Sequence, residues 1–275
     1  MDTRGKSFTV LVIALIAAWG GNPAWAESLP CVIEPTATVE LGSPVTGILD
    51  AVPVERGDAV KKGQIVARLA AEVERKTVDL AALRVNDVSE IQSAVAAAEH
   101  AKREKNRAVL LFRKKLISKQ DLDKAVTEEI LARTQLDQAR ENLSQSKQEL
   151  KLARARLNQR ILRSPIDGIV TERYLSPGNR IQDQPILRIA KVDPLRVEVI
   201  APAKYFNRFE EGEKVEVTPE LPGLEPKEAR IIIIDKTLDA ASNTFRVTLE
   251  LDNPDQRIPA GARCRVDMGD QTGSE

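Results

Sequence analysis

A seven-residue segment occurs twice in this chain, and the copies lie far apart. Ser43-Pro44-Val45-Thr46-Gly47-Ile48-Leu49 returns as Ser164-Pro165-Ile166-Asp167-Gly168-Ile169-Val170, a displacement of 121 positions from Ser43 to Ser164. The displacement then holds without a gap: Val54 maps to Leu175, Gly57 to Gly178, Asp58 to Asn179, Val60 to Ile181, Ile65 to Ile186 and Val66 to Leu187. Each copy consists of short β-branched runs punctuated by Pro and Gly, which reads as three or four strands joined by tight turns. A sheet that small cannot bury its apolar face alone. Two copies cover one another, so residues 39–73 and 161–190 are expected to form one compact sandwich.

The segment that separates the copies has a different grammar. From Glu74 to Asn158 there is no glycine and no proline, and apolar positions recur every seven residues. Leu122, Leu136, Leu143, Leu150 and Leu157 share one heptad position, and Ala125, Ala132, Ala139, Ser146 and Ala153 share its partner. The preceding arm carries Ile91, Ala98 and Phe112 in one series and Val88, Val95, Val109 and Leu116 in the other. Residues 74–160 therefore read as an antiparallel helical hairpin folded about Ile117, with Ile91 against Leu143, Ala98 against Leu136 and Phe112 against Leu122. Arms of about 40 residues rising about 1.5 Å each make a rod of about 60 Å. Lys105 and Glu129 interrupt the seam in one layer. As a facing pair they fix register more than they add stability; the alternative is two independent side chains reaching for solvent. At the turn, Ser118 and Asp121 have the spacing of a capping-box variant that starts the second arm.

Outside this insertion, residues 27–38 read as an N-terminal strand. Residues 191–270 alternate polar and apolar through Leu195–Ile200, Lys214–Val217, Ala229–Ile234, Phe245–Leu251 and Arg263–Met268, with a short helical stretch near Ala203–Glu210. That pattern predicts a small antiparallel β-barrel followed by a tail at 271–275. The fold class is α+β: a split sandwich interrupted by a helical hairpin, then a barrel.

Composition removes most chemistries. Forty-one Lys plus Arg balance forty-one Asp plus Glu, so no net positive field favours nucleic acid. One histidine, His100, and two cysteines, Cys31 and Cys264, cannot supply a Cys/His zinc site, and they disfavour histidine-based nucleophilic catalysis. No acidic pair stands apart from the helix-surface charges, and no phosphate-binding glycine loop occurs. Neither a metal, a cofactor nor an enzyme is expected. The first 26 residues have the anatomy of an export signal: Arg4 and Lys6, an apolar run from Phe8 to Trp19, and Ala24-Trp25-Ala26 before a mature start near Glu27. In an oxidising compartment Cys31, on the N-terminal strand, and Cys264, on the last barrel strand, are candidates for a disulfide if those strands are neighbours.

Ser-Pro-x-x-Gly followed by a Gly-Asp-x-Val turn and an apolar strand resembles half of a biotinyl/lipoyl domain. Two such halves split by a helical insertion resemble the periplasmic adaptor, or membrane fusion protein, family of RND-type efflux and HlyD-like secretion systems. The stretch from Asp239 to Val247, with Asn253-Pro254 and Pro259-Ala260-Gly261, is similar to the barrel segment of the same family. Arg107, Leu111 and Ser118 reproduce the R-x3-L-x6-S spacing that efflux adaptors carry at the hairpin tip. The resemblance implies that these three dock an outer-membrane channel. It further implies a non-enzymatic adaptor joining an inner-membrane transporter, RND-type first and ABC-type second, to that channel from the periplasm, as a ring with hexamers the family norm. The sequence stops soon after the barrel, so it is read as a short form without a membrane-proximal domain. Two readings of other classes stand beside it: a lipoyl or biotinyl carrier modified at Lys124 in Asp123-Lys124-Ala125, and an envelope coiled-coil scaffold.

Overall fold

The structure, a computed structural model, describes residues 28–267. The leader expected at 1–26, the mature start at Glu27 and the 271–275 tail lie outside the described residues. In chain order the elements are β1 (Ser28–Leu41), β2 (Gly47–Ala51), β3 (Ala59–Val60), β4 (Ile65–Leu69), α1 (Glu72–Asn86), α2 (Ser89–Arg113) and α3 (Lys119–Asn158). There follow β5 (Ile161–Arg163), β6 (Gly168–Arg173), β7 (Arg180–Ile181), β8 (Leu187–Pro202), β9 (Lys214–Pro219), β10 (Lys227–Ile234), β11 (Thr244–Leu251) and β12 (Arg263–Asp267). Two compact units result. One contains 197–251 and 262–267 together with 28–33; the other contains 34–196 with 252–261.

In the second unit the two copies pair strand for strand. β2 pairs β7, β3 pairs β6 and β4 pairs β5, so each of these ladders joins one half to the other. The pairing obeys the repeat. Gly47 opposes Ile181, and its image Gly168 opposes Val60. The Leu49 amide donates to the Asn179 carbonyl at 2.9 Å, as the Val170 amide donates to Asp58 at 2.9 Å. In the turns, the Glu55 amide donates to the Asp58 carboxylate at 2.8 Å and the Ser176 amide to the Asn179 side chain at 2.9 Å. Gly57 and Gly178 take φ of 96° and 90°, a left-handed conformation that glycine adopts without steric penalty. The halves are thus related by a pseudo-two-fold axis. Their shared core contains Leu49, Val60, Val66, Leu69, Val170, Ile181, Ile186, Leu187 and Ile189, each at most 3% exposed.

The other unit is a closed six-stranded barrel. Strands run in the order β1-β12-β9-β10-β11-β8, and a β1–β8 pairing completes the ring. Period-two alternation sends Leu29, Cys31 and Ile33, then Val197, Val199 and Ala201, then Phe245, Val247, Leu249 and Leu251 inward. The stretch expected to be helical near Ala203–Glu210 is a single 3-10 turn, Ala203–Tyr205. Phe206 and Phe209 pack edge-to-face on Phe245, with centroids 5.3 and 5.9 Å away. Residues 28–33 group with the barrel strands, while of the expected barrel stretch 191–270, residues 191–196 and 252–261 group with the sandwich. There Asn253, fully buried, donates to the Val192 and Ile258 carbonyls and accepts from the Ile258 amide. These bonds hold the loop against the start of β8, which sequence patterning does not reveal.

Candidate functional site: the helical hairpin and its tip

α1 and α2 run antiparallel to α3. On α3 the expected seam is present: Ala132, Ala139 and Ala153 are buried, and Leu136, Leu143, Leu150 and Leu157 are half-buried between them. Small alanines alternate with leucines, so the helices approach closely while each leucine fills the gap beside an alanine. Three side-chain contacts tie the arms: Arg84 to Glu149 at 3.3 Å, Asn142 to Glu90 at 3.2 Å and Lys105 to Glu129 at 3.1 Å. As the residue number rises on one arm it falls by a nearly equal step on the other, as antiparallel register demands.

The N-terminal arm departs from the expected pattern. It breaks at Asp87 and Val88, where the Asp87 carboxylate accepts from the Ser89 amide at 3.2 Å and the Ser89 hydroxyl at 2.6 Å. A short polar side chain offers the backbone a partner that competes with helix, so the arm stops and restarts without glycine or proline. These two bonds, side chain first, hold the Asp87 carboxyl below the usual carboxylate range. Val88, Phe112 and Leu116, expected in the seam, are 41%, 39% and 66% exposed. Ala94, Ala101 and Ala108 share the stripe with Ile91, Val95, Ala98 and Val109 instead, all half-buried.

The turn between α2 and α3 is fixed from both sides. The Leu116 amide donates to Leu111 and the Lys115 amide to Phe112, both at 2.9 Å, a Schellman motif with Lys115 at φ 59°. Ser118 then caps α3: its hydroxyl accepts from the Asp121 amide at 3.1 Å and donates to the Asp121 carboxylate at 2.7 Å. The Ser118 amide closes the capping box on the same carboxylate at 3.2 Å. The bond from the Ser118 hydroxyl, and secondarily that from its amide, hold the Asp121 carboxyl below the usual carboxylate range.

Of the three residues singled out for docking, Ser118 is therefore engaged in the cap. Arg107 is exposed and pairs only loosely, 3.1 Å from Glu104 one turn earlier. Leu111 is half-buried. Arg107 and Leu111 line one shallow groove of about 290 Å³ with Ile117, Asp121, Lys124 and Glu128. Sequence reasoning missed Glu104, Lys124 and Glu128 as groove residues; the three-residue spacings of Glu104 from Arg107 and Lys124 from Asp121, and the four-residue spacing of Glu128 from Lys124, were the available signal. Lys124 lies inside α3 and not on a β-turn. Cys31 and Cys264, in the barrel, oppose one another on β1 and β12 and form a disulfide with Cα atoms 4.9 Å apart. Asp239, in the string singled out before β11, accepts from the Ser242 and Ala241 amides at 3.1 and 2.8 Å and shapes the loop entering that strand. Among the described residues no helix is long and apolar enough to cross a membrane, and no group of three His, Cys, Asp or Glu could hold a metal ion.

A family profile for the CzcB-like, barrel-sandwich hybrid domain matches residues 37–191, from the end of β1 through the hairpin to β8. The cobalt-zinc-cadmium resistance protein CzcB of Cupriavidus metallidurans is 24% identical over 230 residues, covering 82% of this chain and 41% of that protein. The macrolide export protein MacA of Yersinia pestis is 28% identical over 172 residues, 58% of this chain and 44% of its own length. The chain thus spans less than half the length of these curated relatives. Among solved structures, MacA from Actinobacillus actinomycetemcomitans superposes with a TM-score of 0.72 at 21% identity, covering 88% of this chain and 78% of that one. That likeness carries the fold.

Proposed function

The chain belongs to the CzcB-like barrel-sandwich hybrid family, and from that premise we propose that it is a non-enzymatic adaptor of an efflux pump. In this reading it is exported to the periplasm and performs no bond chemistry. It joins an inner-membrane transporter, RND-type by the resemblance of its repeats and hairpin, to an outer-membrane channel, with several copies side by side in a ring. One observation carries the proposal: the matched segment encloses a hairpin whose apex is locked at both helix ends and presents Arg107 and Leu111 beside one groove. A guanidinium offers a directional fork to carbonyls or carboxylates of a partner, and the leucine an apolar knob. Ser118 serves the docking surface indirectly, by holding the apex in shape.

The test is chemical crosslinking in an export-competent strain. Since Cys31 and Cys264 are paired, Lys119→Cys introduces a lone thiol one residue from the apex. A crosslink to an outer-membrane channel supports the docking role, with Arg107→Glu expected to abolish both the adduct and export. No adduct from any exposed tip position would remove it. Deletion strains challenged with divalent metals and with macrolides, the agents named for CzcB and MacA, identify the cargo class. Co-purification with an ABC-type instead of an RND-type transporter would replace the partner; unchanged sensitivity to every agent would favour the scaffold reading.

A further inference from the structure

The root of the hairpin, where the helices leave the sandwich, holds an arrangement that the repeat does not dictate. Arg160 follows α3 and precedes β5. Its Nε lies 2.9 Å and its Nη2 2.6 Å from Oε1 of Glu74, in the first turn of α1. Its Nη1 donates to the Thr46 carbonyl at 2.9 Å, at the entry to β2. The main chain joins in, with the Leu69 amide of β4 donating to the Arg160 carbonyl at 2.8 Å and the Arg160 amide to Leu157 of α3 at 3.1 Å. One residue thereby touches the start of one arm, the end of the other and two strands of the sandwich. The Arg160 and Glu74 side chains are 22% and 19% exposed, against 59% and 45% for the Arg84–Glu149 pair farther out. Water competes less for them.

The sandwich makes room for this contact. A Cβ on Gly47 would stand 2.6 Å from Arg160 Nη1, so the guanidinium occupies the space a side chain would take. The two-fold image of Gly47 is Gly168, whose nearest neighbours are the Ala190 main chain and the Ile189 side chain. The image of Thr46 is Asp167, whose carboxylate accepts from the Lys62 amide. The pseudo-symmetry is therefore broken where the hairpin is rooted.

We infer that Arg160 is a positioning residue, a clamp that sets the direction of the helical hairpin relative to the split sandwich. Its planar fork spans two acceptors at once, which a lysine ammonium on a flexible stem cannot do with the same directionality. The lever is long: α3 has 40 residues, so its rise of about 1.5 Å per residue turns about 5° of slack at the root into about 5 Å at the tip. The clamp does not depend on which partner the tip meets.

The test is a distance measurement on the full chain with its disulfide intact. Nitroxides go on the exposed positions Asp183→Cys in the sandwich and Asn106→Cys on α2, and double electron–electron resonance reads the distribution. The parent is expected to give one narrow peak, Arg160→Ala to widen it roughly twofold, and Arg160→Lys to fall between. Val170→Ala, a buried core truncation away from the root, lowers the melting temperature as well but should leave the width unchanged. An unchanged width in Arg160→Ala, or equal widening in Val170→Ala, overturns the proposal. If Arg160→Ala fails to fold, Glu74→Gln and Arg160→Lys decide: widening in both sustains the clamp, and parental widths in both remove it.

Discussion

The sandwich and the hairpin belong to one unit and reach order by opposite means. The sandwich is held by volume, with Val66, Val170, Ile181, Ile186, Leu187 and Ile189 all at 0% exposure around a pseudo-two-fold axis. In the hairpin, α2 has no buried residue and α3 only three, all alanine. Its order comes from a repeating seam, a few interhelical polar contacts and closed helix ends. A packed interior punishes any change of shape, whereas a seam of half-exposed side chains punishes loss of register or of caps.

Paired substitutions sharpen that contrast. Ile186→Ala should cost about 2 to 5 kcal/mol in urea unfolding, because the cavity cannot collapse between two strand layers. Leu143→Ala, on the half-exposed seam, should cost about 1 kcal/mol from lost apolar burial; equal losses would erase the distinction. Within the sandwich, Gly168→Ala drives a Cβ to 2.4 Å from the Ala190 carbonyl oxygen, so backbone must move. About 1 to 3 kcal/mol is expected for such overpacking. Gly47→Ala meets side chains of Arg160 and Leu69 and not main chain, and should cost less, the loss coming from displaced Arg160 contacts. A larger loss at Gly47 would mean that the two halves differ more than their shared ladders imply.

At the apex, Ser118→Ala removes the cap and should cost about 1 kcal/mol of helix stability. Proton linkage offers a second measure of the same box. The Asp121 carboxyl titrates lower folded than unfolded, so its contribution is present above the unfolded pKa and disappears as pH falls through the depressed folded value. Protection factors for amide exchange at the start of α3, taken relative to the intrinsic rate at each pH, should therefore fall on acidification in the parent and be less pH-sensitive in Ser118→Ala. The smallest effect has the opposite sign. Lys115→Gly relieves a positive φ at the end of α2 and should add about 0.5 kcal/mol to thermal stability.

The same division governs what was readable from the chain. The halves, the α3 seam and the Ser118–Asp121 box depend on local spacing or on a repeat of constant displacement, so they were visible. The break at Asp87–Val88 was not, because a polar side chain achieves it where glycine and proline are absent. Val88 falls at that break, Phe112 in the last turn of α2 and Leu116 in the turn beyond it, so the seam does not run through these three. Lys115 hid the Schellman motif, since glycine is the usual marker of that position. Arg160 and Asn253 act through contacts between segments distant in sequence, and a single arginine or asparagine carries no periodic signal.

The Cys31–Cys264 bridge spans 233 positions, so nearly every described residue lies on a covalently closed circuit. A protease that nicks an exposed arm of the rod would yield fragments that stay tethered. Such cleavage would escape notice on an unreduced gel and show itself as two bands only once dithiothreitol is added.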